Sequence, residues 1–247
     1  MVLVNTDAIV LRSYNLAEAD RIVVCLTRSA GLVRAVAKGA RRMKSRFGAA
    51  LEPFTLIHLS FYEKENRDLV TVSGAEILKS NFDLASNLEV AEVLGYMAEL
   101  ISEFAPPHEA NEKLFRMITA CVEALAQAPQ AAKSILRYFE IWLLRLAGSF
   151  PDMRECSICG ARPAAEQNLY LDHEGAVRCF NCSRGIGTAL PPDVREAVVS
   201  SHRLGPAEFA AGHEGSAVDG SLSELTHRLI VRALERRPRT MVTPAVS

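Results

Sequence analysis

The sequence predicts an α+β chain of several small domains. An N-terminal β-barrel comes first, helices follow, and a four-cysteine module is inserted among those helices. Three observations lead there. The first 81 residues carry short apolar runs that alternate with polar residues and are split by turn signals. From about residue 86 the apolar spacing becomes helical. Two C-x2-C pairs then stand nineteen residues apart. With 247 residues, 49% apolar and 23% charged, the chain can bury a sizeable core.

Taken in order, Ala8 to Arg12 and Arg21 to Thr27 read as strands, and Ser29-Ala30-Gly31 turns the chain into Leu32 to Ala37. Phe54 to Tyr62 alternates as a half-buried strand does, the charged stretch Glu63 to Asp68 turns, and Leu69 to Ala75 returns. Five short strands suit a small barrel, and the OB type removes exposed edges by closing. Ser86 and Glu89 fit a capping box, followed at helical spacing by Val93, Leu94, Met97, Leu100, Ile101 and Phe104, with Pro106-Pro107 as the stop. A second helix is expected from about Glu109 to Gln127 and a third from about Ala131 to Ala147, with Gly148 at the C′ position. The cysteine segment holds a small hairpin, Leu169 to Arg178. Beyond it Ser221 and Glu224 fit a second capping box, with Gly212 to Ser221 as a loop. The expected domains are a barrel at 1–81, helices at 82–151, a four-cysteine zinc module at 152–187, and C-terminal helices at 188–247 packing with the helical domain.

The cysteines point to a metal. Cys156, Cys159, Cys179 and Cys182 have the spacing of two knuckles that aim four thiolates at one tetrahedral Zn²⁺. Gly160 stands where a tight knuckle needs a residue tolerant of unusual backbone angles. Four thiolates leave no open position for water or substrate, so the ion would be structural. Two redox dithiols, or four cysteines that bind nothing, remain the alternatives. His173 lies in a polar turn and is left out of the ligand set; Cys25 and Cys121 sit on apolar faces and read as core.

Net charge is −1 overall, but its distribution is uneven. Residues 1–81 hold 12 Lys and Arg against 8 Asp and Glu, residues 82–150 hold 5 against 9, and residues 151–247 hold 11 against 12. No acidic residue occurs from Arg21 to Leu51, a stretch containing Arg34, Lys38, Arg41, Arg42, Lys44 and Arg46. A basic loop beside a small barrel can track a phosphate backbone, with Phe47, Tyr14, Phe61 and Tyr62 as candidate platforms for unpaired bases. Phe61 and Tyr62 face opposite sides of one strand, so at least one belongs to the core. A solvated charged loop is the plainer alternative. Arg228, Arg232 and Arg236 form a stripe that suits cations near a helix C-terminus.

No phosphate-binding loop, dinucleotide fingerprint, nucleophile elbow or H-E-x-x-H motif is present, so a non-enzymatic role is expected. The N-terminus lacks the features of a signal peptide and no apolar run reaches membrane-spanning length, so a cytoplasmic protein is expected. The rival functions are a zinc-ribbon interaction factor that does not touch DNA directly, a nuclease of unrecognised type, and a dithiol redox protein.

The stretch IVLRSYNLAEADRIVVCLTRSAGLVRAVAKGARRMKSRFGAALEPF, from Ile9 to Phe54, resembles the N-terminal region of the RecO family of bacterial DNA repair proteins. RYFEIWLLRLAGSFPDMRECSICG, from Arg137 to Gly160, resembles the family's helix leading into its zinc module. Element order agrees along nearly the whole chain, with residues 190–247 resting on helical pattern alone. The resemblance implies an OB-fold, a central helical domain and a zinc-binding insertion. It also implies a monomeric, nucleoid-associated recombination mediator of the RecFOR pathway. Such a protein binds single- and double-stranded DNA, anneals complementary strands and acts with RecR to help RecA load onto DNA covered by single-stranded DNA-binding protein (SSB). Carried over by position, Lys38 to Arg46 is the DNA-contacting loop and the four cysteines hold one structural Zn²⁺. Met43 departs from the pattern, since the family favours proline there. An apolar, acidic SSB tail would need an apolar groove with a basic rim, for which Lys133, Arg137 and Arg145 are the candidates.

Overall fold

The computed structural model describes residues 2–63 and 69–240. Five strands open the chain: β1 (Val2–Leu16), β2 (Asp20–Thr27), β3 (Gly31–Ala37), β4 (Leu56–Glu63) and β5 (Leu69–Lys79). They form the expected OB-type barrel, closed in the order β1-β2-β3-β5-β4 with β4 returning to β1. Every pairing is antiparallel except β3 with β5, which run parallel through Arg34–Leu69, Ala35–Val70 and Val36–Thr71. Side chains two apart enter the interior together: Val23 and Cys25, Val33 and Ala35, Ile57, Leu59 and Phe61, Val70 and Val72. After β3, Phe47, Ala50 and Leu51 complete this core.

The strands run longer than their sequence pattern. β1 spans fifteen residues because it serves two neighbours, β4 through Val2–Ile9 and β2 through Ala8–Leu16. A bulge between Val10 and Arg12 lets it bend between them and resets the alternation that marks a strand in sequence. Of the turn expected at Glu63 to Asp68, Glu63 ends β4 and residues 64–68 lie outside the described residues.

Helices α1 (Leu88–Phe104) and α2 (Glu112–Gln127) follow, then α3 (Ala132–Leu146). The expected helix starts were displaced by better caps. Val90 N–H donates to Asn87 Oδ1, so Asn87 caps α1, while Ser86 closes the preceding 3-10 turn by donating to Asp83 O. Asn111 Oδ1 takes the Leu114 N–H at the start of α2. After α3 come β6 (Leu169–Leu171), β7 (Val177–Cys179), α4 (Phe180–Ser183), β8 (Thr188–Leu190), α5 (Pro192–Ser200), α6 (Pro206–His213) and α7 (Ala217–Leu234). β6 pairs with both β7 and β8, so the expected hairpin is present with a third strand added. α7 starts four residues before Ser221. Ser216 is its cap, and Ser221 instead bonds back to Ala217 O from within the helix. The loop expected at Gly212 to Ser221 is therefore mostly helical.

Chain contacts divide the protein into two compact units, residues 1–126 and 127–247. The division passes through the segment 82–151, because α3 packs on α6 and α7 in the second unit. That packing encloses a polar network. Arg137 Nη1 lies 3.2 Å from Glu140 Oε2 with both side chains buried, and it also donates to Ser223 Oγ. Thr226 Oγ1 donates to the same Glu140 oxygen at 2.6 Å. A buried ion pair is costly to break and cheap to replace. Glu140→Ala strands the Arg137 charge and is expected to cost about 3–5 kcal/mol. The double variant Arg137→Met/Glu140→Leu is expected within about 1.5 kcal/mol of the parent. Urea midpoints check both; equal losses in the single and double variants would remove the ion-pair explanation.

Candidate nucleic-acid interface and metal centre

The metal centre is built from two short chain reversals that a small sheet brings together. Cys156 and Cys159 sit on the first, where Gly160 N–H donates to Cys156 O at 2.9 Å and Gly160 takes a φ of +68°, costly for any side chain. Ser157 N–H donates to Val177 O at 2.9 Å, tying this knuckle to β7. β7 ends on Cys179, and α4 carries Cys182 back toward it. The four Sγ atoms lie within 4.8 Å of one another, and Cys159 Sγ is 3.8 Å from Cys179 Sγ. Four sulfurs about 2.3 Å from one zinc ion form a tetrahedron with edges of about 3.8 Å, so the cluster has the size of a four-thiolate zinc site.

Electrostatics within the cluster agree with a cation-binding role. Burial disfavours the Cys156 thiolate, but backbone N–H groups of Cys159, Cys179 and Ile158 point at its sulfur, and the thiol falls to about 6. Hydrogen bonds to Cys159 and Cys179, with burial adding to them, push Cys182 up to about 12, so the sulfurs share protons that a dication would displace. Cys25 and Cys121 lie outside the cluster as inert core thiols, raised by burial alone. His173 is exposed beside Glu174 and takes no part.

The module is anchored on two sides. Arg195 of α5 donates from Nη2 to Gln167 O at 2.7 Å and Ala165 O at 3.0 Å, holding the segment between the knuckles. Arg232 of α7 lies over the β6–β7 turn at Gly175, where any Cβ would collide with its guanidinium. Arg232 is thus a packing residue of the stripe, and Arg228 is paired with Glu224 at 2.8 Å.

The barrel carries the second candidate site. Strand register sets the outward side chains in rows. Arg12, Val24, Arg34 and Leu69 form one row, and Tyr14, Ile22, Val36, Thr71 and Tyr62 form the next. Two residues of strand separate the rows, a spacing of about 6.8 Å. Tyr14 is 45% exposed and Tyr62 39%, and Arg12 Nη1 donates to the Tyr14 hydroxyl at 3.4 Å. Tyr14 and Tyr62 were expected from the sequence, while Arg12 and the alignment of the two tyrosines in one row were missed. Extending β1 past its bulge would have placed Arg12 and Tyr14 on the outer face opposite Arg34 and Val36.

The loop after β3 is ordered by its own bonds. Arg41 N–H donates to Ala19 O at 3.0 Å, Arg41 Nη1 to Ala17 O at 2.9 Å, and Gly39 N–H to Asp20 Oδ1 at 2.8 Å, pinning it to the β1–β2 turn. Arg34, Lys38, Arg41, Arg42, Lys44 and Arg46 are all exposed. Among the described residues, Arg34, Lys38, Arg42 and Lys44 meet no carboxylate. Two other cations of the acid-free run are neutralised from outside it, Arg21 by Glu52 and Arg28 by Asp7.

Two expectations are corrected. Phe47 is no platform for bases: it is 3% exposed, packed in the barrel core, with the Arg46 guanidinium 4.9 Å above its ring. Phe61 is likewise interior, leaving Tyr62 as the outward member of that pair. The basic rim of Lys133, Arg137 and Arg145 does not form either. Lys133 is exposed, but Arg137 is buried in its ion pair. Arg145 is spent on Ser201 Oγ and Val198 O, both at 2.8 Å, between Trp142 and Phe150, where burial lowers it to about 10.

Among the described residues no helix is long and apolar enough to cross a membrane. Comparison with known proteins agrees with this architecture. The family model described as "Recombination protein O N terminal" matches residues 1–81, and "Recombination protein O C terminal" matches residues 86–237. The DNA repair protein RecO of Koribacter versatilis (strain Ellin345) is 34% identical over 207 residues, covering 84% of this chain and 83% of that protein. The RecO protein of Anaeromyxobacter sp. (strain K) is 36% identical over 189 residues, 76% and 74% of the two chains. That of Geobacter metallireducens is 31% identical over 224 residues, 88% and 90%. With both halves matched and similarity running through barrel, helices and cysteine module alike, the chain belongs to the RecO family of DNA repair and recombination proteins.

Proposed function

We propose that this chain is a non-enzymatic recombination mediator that binds single- and double-stranded DNA through its barrel and anneals complementary strands. With RecR, it helps RecA load onto SSB-coated DNA. The observation that carries the DNA-binding part is the ordered loop of residues 38–46, whose cations have no acid among residues 21–51, continuing the outward Arg12–Arg34 row. Such a surface grips phosphates irrespective of sequence. Tyr14 and Tyr62 offer π-faces to unpaired bases, which every base can use. Annealing then needs no bond making: neutralising two backbones lowers their repulsion and lets pairing proceed. RecR, RecA and SSB enter through family membership, and with two of its three residues engaged internally the Lys133–Arg137–Arg145 rim is not offered as the SSB site.

Cys156, Cys159, Cys179 and Cys182 would hold one Zn²⁺, which supplies a crosslink and no chemistry, since four thiolates leave no position for substrate.

Binding of a labelled single strand across a salt series tests the DNA reading. The wild type is expected to weaken steeply with salt. Arg41→Ala/Arg42→Ala/Lys44→Ala should bind more weakly and lower the slope of log K against log salt by about 2, at roughly 0.7 per lost phosphate contact. No binding by either protein at low salt would refute the reading and favour a zinc-ribbon interaction factor. For the metal, elemental analysis should find about one zinc per chain in the parent and none retained by Cys156→Ser. A chelator should speed hydrogen exchange across residues 156–182; unchanged exchange after complete metal removal would mean that the knuckles fold unaided.

A further inference from the structure

Among the cations of the β3 loop stands one large apolar side chain, and it is fully exposed: Met43. We propose that Met43 is an apolar wedge that enters the base stack of bound DNA, so that this loop contacts bases as well as phosphates. The inference rests on the DNA-binding reading above and deepens it.

The exposure is built into the turn. Arg42 N–H donates to Gly39 O at 3.1 Å and Ser45 N–H to Arg42 O at 2.9 Å, so two successive tight turns meet at Arg42 and Met43 lies within the second. The base of the loop is fastened by Arg41 to Ala17 and Ala19 and by Gly39 to Asp20. At its far end Ser45 Oγ takes the Phe47 N–H, and Phe47 is sunk in the barrel core. A thioether at the tip of so constrained a turn cannot reach the core. It stays in water unless a ligand covers it.

Charge says what that ligand is. Arg41, Arg42, Lys44 and Arg46 flank Met43, and no carboxylate occurs between Arg21 and Leu51. The surroundings attract a polyanion, and phosphates alone give a thioether nothing to pack on. A nucleic acid supplies both: phosphates for the flanking cations and, between them, base faces that an unbranched, polarizable side chain fits. Apolar side chains inserted between base steps unstack them, a useful act for a protein that must hold strands ready to pair.

The test uses the full chain and a single strand carrying 2-aminopurine, whose fluorescence rises when it unstacks, with wild type beside Met43→Ser and Met43→Leu. Wild type is expected to raise the fluorescence on binding. Met43→Ser should lose most of that rise and bind ~10-fold more weakly, the order of one lost stacking contact, while keeping the salt slope because every cation remains. Met43→Leu should restore both. An equal fluorescence rise with Met43→Ser overturns the wedge and leaves the phosphate-binding reading standing. A changed salt slope in Met43→Ser also overturns it, since the substitution would then act through loop shape. Absence of DNA binding by the wild type removes both readings together.

Discussion

The parallel pairing of β3 with β5 is the constraint from which the N-terminal unit follows. It joins strands from opposite sides of the basic loop, and only through it does the sheet become a cylinder. Closure removes the free edge along the three paired residues of each strand. It also fixes register, because a slip of one residue would turn every side chain to the opposite face. In the observed register Arg34 and Val36 point outward while Val33 and Ala35 fill the interior. The same pairing decides where β3 ends. The loop after Ala37 is short of slack, pinned to the β1–β2 turn at one end and sunk into the barrel by Phe47 at the other. Its cations are held in place by the barrel and do not sample a disordered tail.

Arginine does opposite work in different parts of this chain, and what separates the roles is the reach of an acceptor. Arg137 has Glu140 one helical turn away and Ser223 on α7, so its Nη1 is paired where water is absent. Arg145 spends its guanidinium on a hydroxyl and a carbonyl near the end of α5. Arg195 closes on backbone carbonyls of the cysteine module. In the barrel, Glu52 and Asp7, both outside the acid-free run, take Arg21 and Arg28 from it. What remains for an external anion are the cations that pair with no carboxylate among the described residues, Arg34, Lys38, Arg42 and Lys44; Asp20 meets the loop only at the Gly39 N–H. Counting positive residues would have credited all of these equally.

That difference also explains what could be read from the sequence. The barrel, helices α1 to α3 and the cysteine knuckles were legible because each rests on a local repeat: period two, period 3.6, or C-x2-C. Phe47 was misread because an aromatic beside a basic run looks like a stacking platform, and only the barrel interior, assembled from five separated strands, shows that it has a place to be buried. Arg137 and Arg145 were misread as a rim for the same reason: Glu140 is local to Arg137, but Ser223, Ser201 and Val198 lie 53 to 86 residues away in sequence. Arg12 was missed because the bulge at Val10 breaks alternation at the point where strand β1 turns from one neighbour to the other, whereas Tyr14 was legible as an aromatic near the basic run. The cap of α1 moved by one residue because Asn87 offers its carbonyl oxygen directly to Val90 N–H, while Ser86 was already used in the preceding turn.

The cysteine module poses a different physical problem. Its buried apolar side chains are few: Leu169, Leu171, Val177 and Leu190, with Met153 and Cys156 beside them. A segment of this size cannot offset its conformational entropy by hydrophobic burial alone. Two arginines from neighbouring helices help by fastening it, Arg195 to its backbone and Arg232 over its tightest turn. Neither reaches the knuckles, where four sulfurs approach within 4.8 Å and repel one another as they ionise. A divalent cation would turn that repulsion into a crosslink, and the four cysteines that would hold it belong to residues 127–247, while the proposed DNA-facing residues belong to residues 1–126. A metal held there would act on the fold of that module, and the charge in the proposed DNA contact comes from the barrel strands and the loop they hold.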